Sequence, residues 1–227
     1  DNNMYLPIHD QCKILVVGLG YVGLPLATQF AIHDKCLKNG SLLNRKVIGF
    51  DINSDRINEL ISAKDKTNEI ENSLLKDLVS QKKLSFTNSI KGYENFDFFI
   101  VTVPTPIDEF KKPNLEPILQ ASKSIGKLLK KRKSKISPIV IYESTVFPGA
   151  TEDICAPIIE KESGLKYNEG FHCGYSPERI NPGDNEHRLT SITKVVSGSS
   201  FEVTKIIDNL YSSIIEAGTY IAPSIKI

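Results

Sequence analysis

The apolar run Lys13-Ile14-Leu15-Val16-Val17 feeds directly into Gly18-Leu19-Gly20-Tyr21-Val22-Gly23, and a second apolar run over 46–50 is followed at once by Asp51. Few folds accept that order. A G-x-G-x-x-G segment between a strand and a helix-compatible stretch, here 21 to about 32, gives a tight turn at the first glycine. It leaves bare backbone at the second and a close strand–helix contact at the third. Such a turn aims main-chain amides and a helix N-terminus at a pyrophosphate, and a carboxylate closing the next strand can accept hydrogen bonds from both ribose hydroxyls. The pattern predicts a dinucleotide pocket built on Gly18, Gly20, Tyr21, Val22 and Gly23. Asp51 at its edge favours NAD over a cofactor phosphorylated at the ribose 2′ position. Pro25 falls early enough in the helix to cost no internal hydrogen bond. Asp51 stands further from Gly23 than the usual interval of about 20 residues, so residues 34–45 are expected to form an inserted loop or a lengthened helix end.

Beyond this unit, short apolar runs alternate with longer amphipathic stretches, the sign of strands joined by helical crossovers. Strands are predicted over 13–17, 46–50, 84–87, 98–103, 139–142, 172–175 and 194–197. Further helices are predicted over 55–61, 73–81, 115–130, 151–162 and 201–214. The fold class is α/β: a Rossmann-like, doubly wound, mainly parallel sheet with helices on both faces.

With 227 residues and 40% hydrophobic content, the chain can bury one generous core, and a formal net charge of +1 gives no global field toward nucleic acid or anionic lipid. The basic run over 127–135 lies at the end of a predicted helix and carries no interleaved aromatic residues, so it reads as a solvated face and not as a nucleic-acid site. No stretch of about 18 apolar residues and no signal peptide is evident, which points to a soluble cytoplasmic protein without a membrane partner. Cys12, Cys36, Cys155 and Cys173 lie far apart without a C-x-x-C pair. They read as buried, reduced thiols, and no metal site is expected.

In an open parallel sheet the ligand sits beyond the carboxyl ends of the strands. Four such places carry unusual chemistry. The glycine loop follows the first strand and Val103-Pro104-Thr105-Pro106 the fourth. After the fifth comes Glu143-Ser144-Thr145-Val146-Phe147-Pro148-Gly149, and after the sixth Ser176-Pro177-Glu178-Arg179-Ile180-Asn181-Pro182-Gly183. Prolines and hydroxyls in one loop would be turn chemistry; four such loops on one rim point to a site.

These segments, read as G-L-G-Y-V-G-L-P at 18–25, V-P-T-P at 103–106, E-S-T-V-F-P-G at 143–149 and Y-S-P-E-R-I-N-P-G at 175–183, resemble the UDP-glucose/GDP-mannose dehydrogenase family. K-V-V-S-G at 194–198 and A-G-T at 217–219 fit as well, so the resemblance covers nearly the whole chain. S-P-E-R-I-N-P-G is similar to the branch that oxidises UDP-N-acetylhexosamines for surface polysaccharides. UDP-glucose enzymes typically place phenylalanine and leucine after S-P-E, and a second glutamate where this chain has Pro182.

The resemblance implies oxidation of a sugar C6 alcohol to a carboxylate with two NAD, through an aldehyde captured by a cysteine. It implies that Arg56, Val103, Pro104, Thr105, Ser144 and Thr145 join the glycine loop and Asp51 in holding NAD. Thr145 would orient the reacting centre or its water, and Glu178 would position or activate the hydrolytic water. Arg179, Ile180 and Asn181, with Glu178, would line the nucleotide-sugar side. A helix cap for Thr145, and an ion pair with Arg179 or Arg188 for Glu178, are the plain alternatives.

The family's nucleophilic cysteine lies in a G-G-H-C-I-type segment that this sequence does not contain, and Cys173, inside a predicted strand, reads as a packed thiol. The lysine and asparagine that the family presents from its central helix, and its nucleotide-sugar domain, have no counterpart either. The expectation is a dinucleotide-binding domain over 1–219, with 220–227 opening the central connecting helix of a longer, dimeric enzyme. A fragment of that kind would be inert alone. UDP-glucose or GDP-mannose 6-dehydrogenase is the other enzymatic possibility, and a non-catalytic NAD-binding regulatory module the possibility of another class.

Overall fold

The computed structural model describes residues 5–144, 149–178 and 189–223. Within them the first two strands are β1 (Gln11–Val17) and β2 (Asn44–Phe50), separated by helix α1 (Gly23–Ile32); α2 (Ser54–Ile61) and α3 (Asn72–Ser80) lead to β3 (Leu84–Thr87). β4 (Phe98–Val101), α4 (Glu116–Leu129) and β5 (Ile139–Tyr142) follow. A π-helical turn, Thr151–Cys155, runs into α5 (Ala156–Ser163), then come β6 (His172–Tyr175), β7 (Lys194–Gly198), α6 (Phe201–Ser212) and β8 (Thr219–Ile221).

Among the described residues the strands form one eight-stranded sheet in the order β3-β2-β1-β4-β5-β6-β7-β8. The chain grows outward from β1 to β3, then returns to the other side of β1 with β4. That reversal opens a crevice beyond the carboxyl ends of β1 and β4, where open α/β sheets hold their ligands. Pairing is parallel except between β6 and β7, where Gly174 faces Gly198 and Tyr175 faces Ser197 in antiparallel register. The link from β6 to β7 contains no predicted crossover helix, which frees β7 to run the other way.

Side chains of each strand alternate between two cores, as a strand's period of two requires. Ile14 and Val16 of β1, Phe98 and Ile100 of β4, and Ile139 and Ile141 of β5 pack with α1, α2, α3 and α6. Leu15 and Val17, Phe99 and Val101, and Val140 and Tyr142 pack with α4 and α5. Ile14, Leu15 and Val16 are 0% exposed, and full burial of such a side chain contributes about 1.5–3 kcal/mol. The doubly wound α/β class expected from the sequence is therefore the one observed.

Of the two forms expected for residues 34–45, the inserted loop is the one observed: α1 stops at Ile32, and the segment before β2 is a loop closed by a bridge between Lys35 and Leu42. Leu37 N–H donates to Ser213 O at 3.0 Å and Arg45 Nη1 to Ser213 Oγ at 2.7 Å, so the loop is pinned to the end of α6. β4 ends at Val101, not at residue 103, because Pro104 and Pro106 have no N–H to offer a ladder. The helix over 151–162 begins as a π turn. Pro157 lacks an N–H for the carbonyl four residues back and its ring crowds that carbonyl, which a wider turn relieves.

Tyr220 and Ile221, expected to open a connecting helix, are instead in β8, paired in parallel with Val195 and Val196. A Thr-Tyr-Ile run suits a strand better than a helix start. Residues 224–227 lie outside the described set. Arg132, read as part of a solvated basic face, ties backbone together at the amino end of the sheet. It donates to the carbonyls of Glu94 at 2.8 Å, Phe96 at 2.5 Å and Ile136 at 2.6 Å.

Candidate functional site

The cleft beyond β1 and β4 has a volume of about 860 Å³ and runs from Asp51 at one end to Glu178 at the other. The glycine loop forms its floor. Gly18 has φ +101°, open to glycine at little cost, and its N–H donates to Phe50 O at 2.8 Å. A Cβ on Gly23 would stand 1.7 Å from Gly18 O and 2.4 Å from Thr102 Oγ1. Only a bare Cα lets α1 start this close to the strand. Thr102 closes the turn from β4, its hydroxyl donating to Gly18 O at 2.7 Å. At Gly20, by contrast, a Cβ would meet nothing within 4 Å; the glycine there leaves room on the cleft side and relieves no internal crowding.

Asp51 closes β2 with its carboxylate tied at two points, Oδ2 accepting from Leu19 N–H at 2.9 Å and Oδ1 from Asn53 N–H at 2.9 Å. A carboxylate offers about four lone-pair sites, so capacity for two ribose hydroxyls remains. Asn53 in turn caps α2 by accepting from the amides of Asp55 at 3.0 Å and Arg56 at 3.3 Å.

Arg56, expected among the cofactor contacts, is buried under the loop. Its Nε donates to Leu19 O at 2.7 Å, and Nη1 donates to Asp65 Oδ1 at 2.9 Å and Glu59 Oε1 at 3.2 Å. The guanidinium thus supports the glycine loop, and Arg56 also contributes to the lining of the cleft. Burial opposes the charge of Asp65, but hydrogen bonds from Thr67, the Ile70 amide and Arg56 outweigh it and hold this carboxyl below its ordinary value.

Val103, Pro104, Thr105 and Ser144 line the middle of the cleft. Ser144 Oγ donates to Val103 O at 2.6 Å, tying the ends of β4 and β5 together. Tyr21, exposed, and Val22, half-buried, line the cleft beside the glycines. Thr145, Arg179, Ile180 and Asn181 lie outside the described residues. Glu178 closes the far end, its N–H donating to Glu143 O at 3.2 Å and its Oε2 standing 3.4 Å from Lys194 Nζ.

Sequence reasoning missed the group around Glu178. Lys194 Nζ donates to Glu143 Oε1 at 2.5 Å, and Tyr211 Oη donates to Glu143 Oε2 at 2.8 Å. Burial works against the Lys194 charge, but the carboxylates of Glu143 and Glu178 more than compensate and raise its pKa. Burial, with the like charge of Glu178, pushes Glu143 up, and burial beside Glu143 keeps the Tyr211 phenol protonated far above its usual range. The one available signal was a charged residue at the end of each of two otherwise apolar strands.

Cys173 is 0% exposed within the sheet core and burial drives its thiol well above its ordinary pKa, as a packed thiol requires. All four cysteines are buried with free thiols. Among the described residues no cluster of histidine, cysteine and carboxylate side chains is arranged to hold a metal, and no helix is long and apolar enough to cross a membrane.

A parallel sheet with its reversal beside β1, a glycine turn that only bare Cα atoms permit, open space over Gly20 and a carboxylate closing β2 define a dinucleotide-binding domain, and these residues fit such a ligand. Residues 12–215 match the NAD binding domain of the UDP-glucose/GDP-mannose dehydrogenase family. The chain belongs to that family, and its cofactor is NAD. It is 54% identical over 215 residues to a UDP-N-acetyl-D-glucosamine 6-dehydrogenase of Pseudomonas aeruginosa, covering 95% of this chain and 46% of that protein. With the enzyme of the same name from Salmonella typhi it shares 45% identity over 218 residues, 96% of this chain and 47% of the relative. Among solved structures, the NDP-N-acetyl-D-galactosaminuronic acid dehydrogenase of Methanosarcina mazei Go1 superposes with a TM-score of 0.80 at 28% identity, over 94% of this chain and 44% of that one. The chain spans about half the length of the curated relatives it matches.

Proposed function

We propose that this chain is the NAD-binding half of a nucleotide-sugar 6-dehydrogenase that oxidises the C6 alcohol of a UDP-N-acetylhexosamine to the uronate with two NAD. The observation that carries the reading is the continuity of the cleft, which joins the ribose-binding carboxylate Asp51 to the charged group at Glu178. NAD, when bound, accepts the hydride. The amides of the glycine loop would hold its diphosphate, Asp51 would accept from the adenosine ribose, and Val103, Pro104, Thr105 and Ser144 would wall the cleft beyond them. Glu178 would direct the hydrolytic water, with Thr145 assigned to the reacting centre and Arg179, Ile180 and Asn181 to recognition of the nucleotide-sugar. The names of the two bacterial relatives, at 54% and 45% identity, support an N-acetylhexosamine substrate. Arg179 and Pro182, which stand where UDP-glucose enzymes typically differ, support it too.

In this reading residues 1–219 and the closing strand form the dinucleotide unit, and the residues beyond lead toward a connecting helix through which a cytoplasmic homodimer pairs. The chain by itself should bind NAD and produce no NADH from UDP-N-acetylglucosamine, whereas a polypeptide continued to the length of its relatives should produce it. NADH formation by the 227-residue chain alone would show that the catalytic groups have been misplaced.

A further inference from the structure

Lys194 opens β7. Because β7 runs antiparallel to β6, its first residue lies at the rim where the parallel strands end. The Lys194 side chain is 5% exposed, and its Nζ stands 2.5 Å from Glu143 Oε1, 3.4 Å from Glu178 Oε2 and 5.6 Å from the centre of the Tyr211 ring. Burying an ammonium is costly unless partners surround it, and an apolar residue would serve the sheet better at this position. Glu143 anchors the ammonium, since one of its oxygens accepts from Lys194 and the other from Tyr211. What the lysine adds is a donor aimed at Glu178, from a base that β5, β7 and α6 hold in common.

We propose that Lys194 is a positioning residue for Glu178: anchored by Glu143 and Tyr211, its ammonium fixes the Glu178 carboxylate as an acceptor at the inner end of the cofactor cleft. The proposal rests on the dehydrogenase reading above, in which Glu178 directs water at the reacting carbon. Lys194 acts through Glu178, since among the described residues that line the cleft Glu178 is present and Lys194 is not. Among the described residues the charged groups facing it are Glu143 from the end of β5 and Glu178 from the loop after β6, with the Tyr211 phenol from α6.

Two measurements test it. In the 227-residue chain, the Lys194 ammonium, assigned by its loss in Lys194→Arg, should give a nitrogen-15 resonance protected from exchange near neutral pH that moves in Glu178→Gln. A resonance indifferent to Glu178→Gln overturns the proposal. In the enzyme continued to the length of its relatives, Lys194→Met combined with Glu143→Gln removes both charges of the buried Lys194–Glu143 pair together. That double variant should lower kcat about ten- to a hundredfold, with KM for NAD and the thermal midpoint unchanged. Lys194→Arg, which keeps a donor, should recover much of the loss. A kcat within about twofold of wild type in the double variant, or a loss carried by KM for NAD, overturns the assignment. If the wild-type enzyme makes no NADH from UDP-N-acetylglucosamine, the dehydrogenase reading falls, and the ammonium resonance still decides whether Lys194 holds Glu178.

Discussion

Gly20→Ala separates the requirements of the fold from those of the ligand. A Cβ at Gly20 meets nothing within 4 Å, and the residue's φ lies outside the left-handed region, so the folded chain accepts the methyl group without strain. Replacing glycine at such a position restricts the unfolded chain and stabilises by about 0.4–1 kcal/mol. For a domain of this size that holds or raises the thermal midpoint by about 1–4 °C. The same methyl group stands where main chain must come close to a diphosphate. One lost hydrogen bond to a charged group costs about 1.5–3 kcal/mol, so Kd for NAD should rise roughly ten- to 150-fold. Calorimetric titration with NAD, beside a thermal scan of the same protein, reads both quantities. An unchanged Kd would refute the placement of the diphosphate over Gly20. A midpoint several degrees lower would refute the claim that only the ligand needs this glycine.

Gly23→Ala should do the opposite, destabilising by about 3 kcal/mol and lowering the midpoint by about 6–12 °C, since its methyl group collides with Gly18 O; an unaltered thermal scan contradicts this. Asp51→Ala should weaken NAD by about 1–3 kcal/mol through lost charged hydrogen bonds, and an unchanged calorimetric affinity would move the ribose anchor elsewhere. Arg132→Met should cost about 2–4 kcal/mol by stranding three half-buried or buried carbonyls, seen as a lower denaturant midpoint with NAD affinity retained; equal midpoints would mean that water replaces the guanidinium. The depressed carboxyl of Asp65 contributes stability that is fully present above about pH 4, its unfolded value, and is lost as pH falls through the lower folded one. Asp65→Asn should therefore flatten the acid limb of the stability profile, and an acid limb identical to wild type would remove Asp65 from the account.

The elements that were legible in the sequence are those whose signal is local. Residues 84–87, 139–142 and 172–175 are short runs bounded by turn residues, and the strands begin and end there. The glycine loop and Asp51 were legible because the signal lies within a few residues, Gly18 and Gly23 answering to nearby steric demands and Gly20 leaving open space on the cleft side. Elements that depend on partners far along the chain were not. β8 is three residues long, too short for its Thr-Tyr-Ile run to stand out in the sequence, and it exists by pairing with β7. Arg132 looked like one more cation in a lysine-rich run because its acceptors come from residues 94, 96 and 136. Lys194 looked like the polar start of a strand. Its meaning depends on β7 running antiparallel and thereby delivering it to Glu143 and Glu178 at the ligand rim. Arg56 was placed in the right region, but its engagement with Leu19 O and Asp65 depends on how the segment after α2 folds back.

The central claim, that NAD lies across the glycine loop with its adenosine ribose on Asp51, is tested most directly by titrating the chain with NAD and with NADP in parallel. A single NAD site is predicted, together with much weaker binding of NADP, whose 2′-phosphate would meet the Asp51 carboxylate and be repelled by it. Equal affinities for the two, or no heat from NAD at all, would contradict the account.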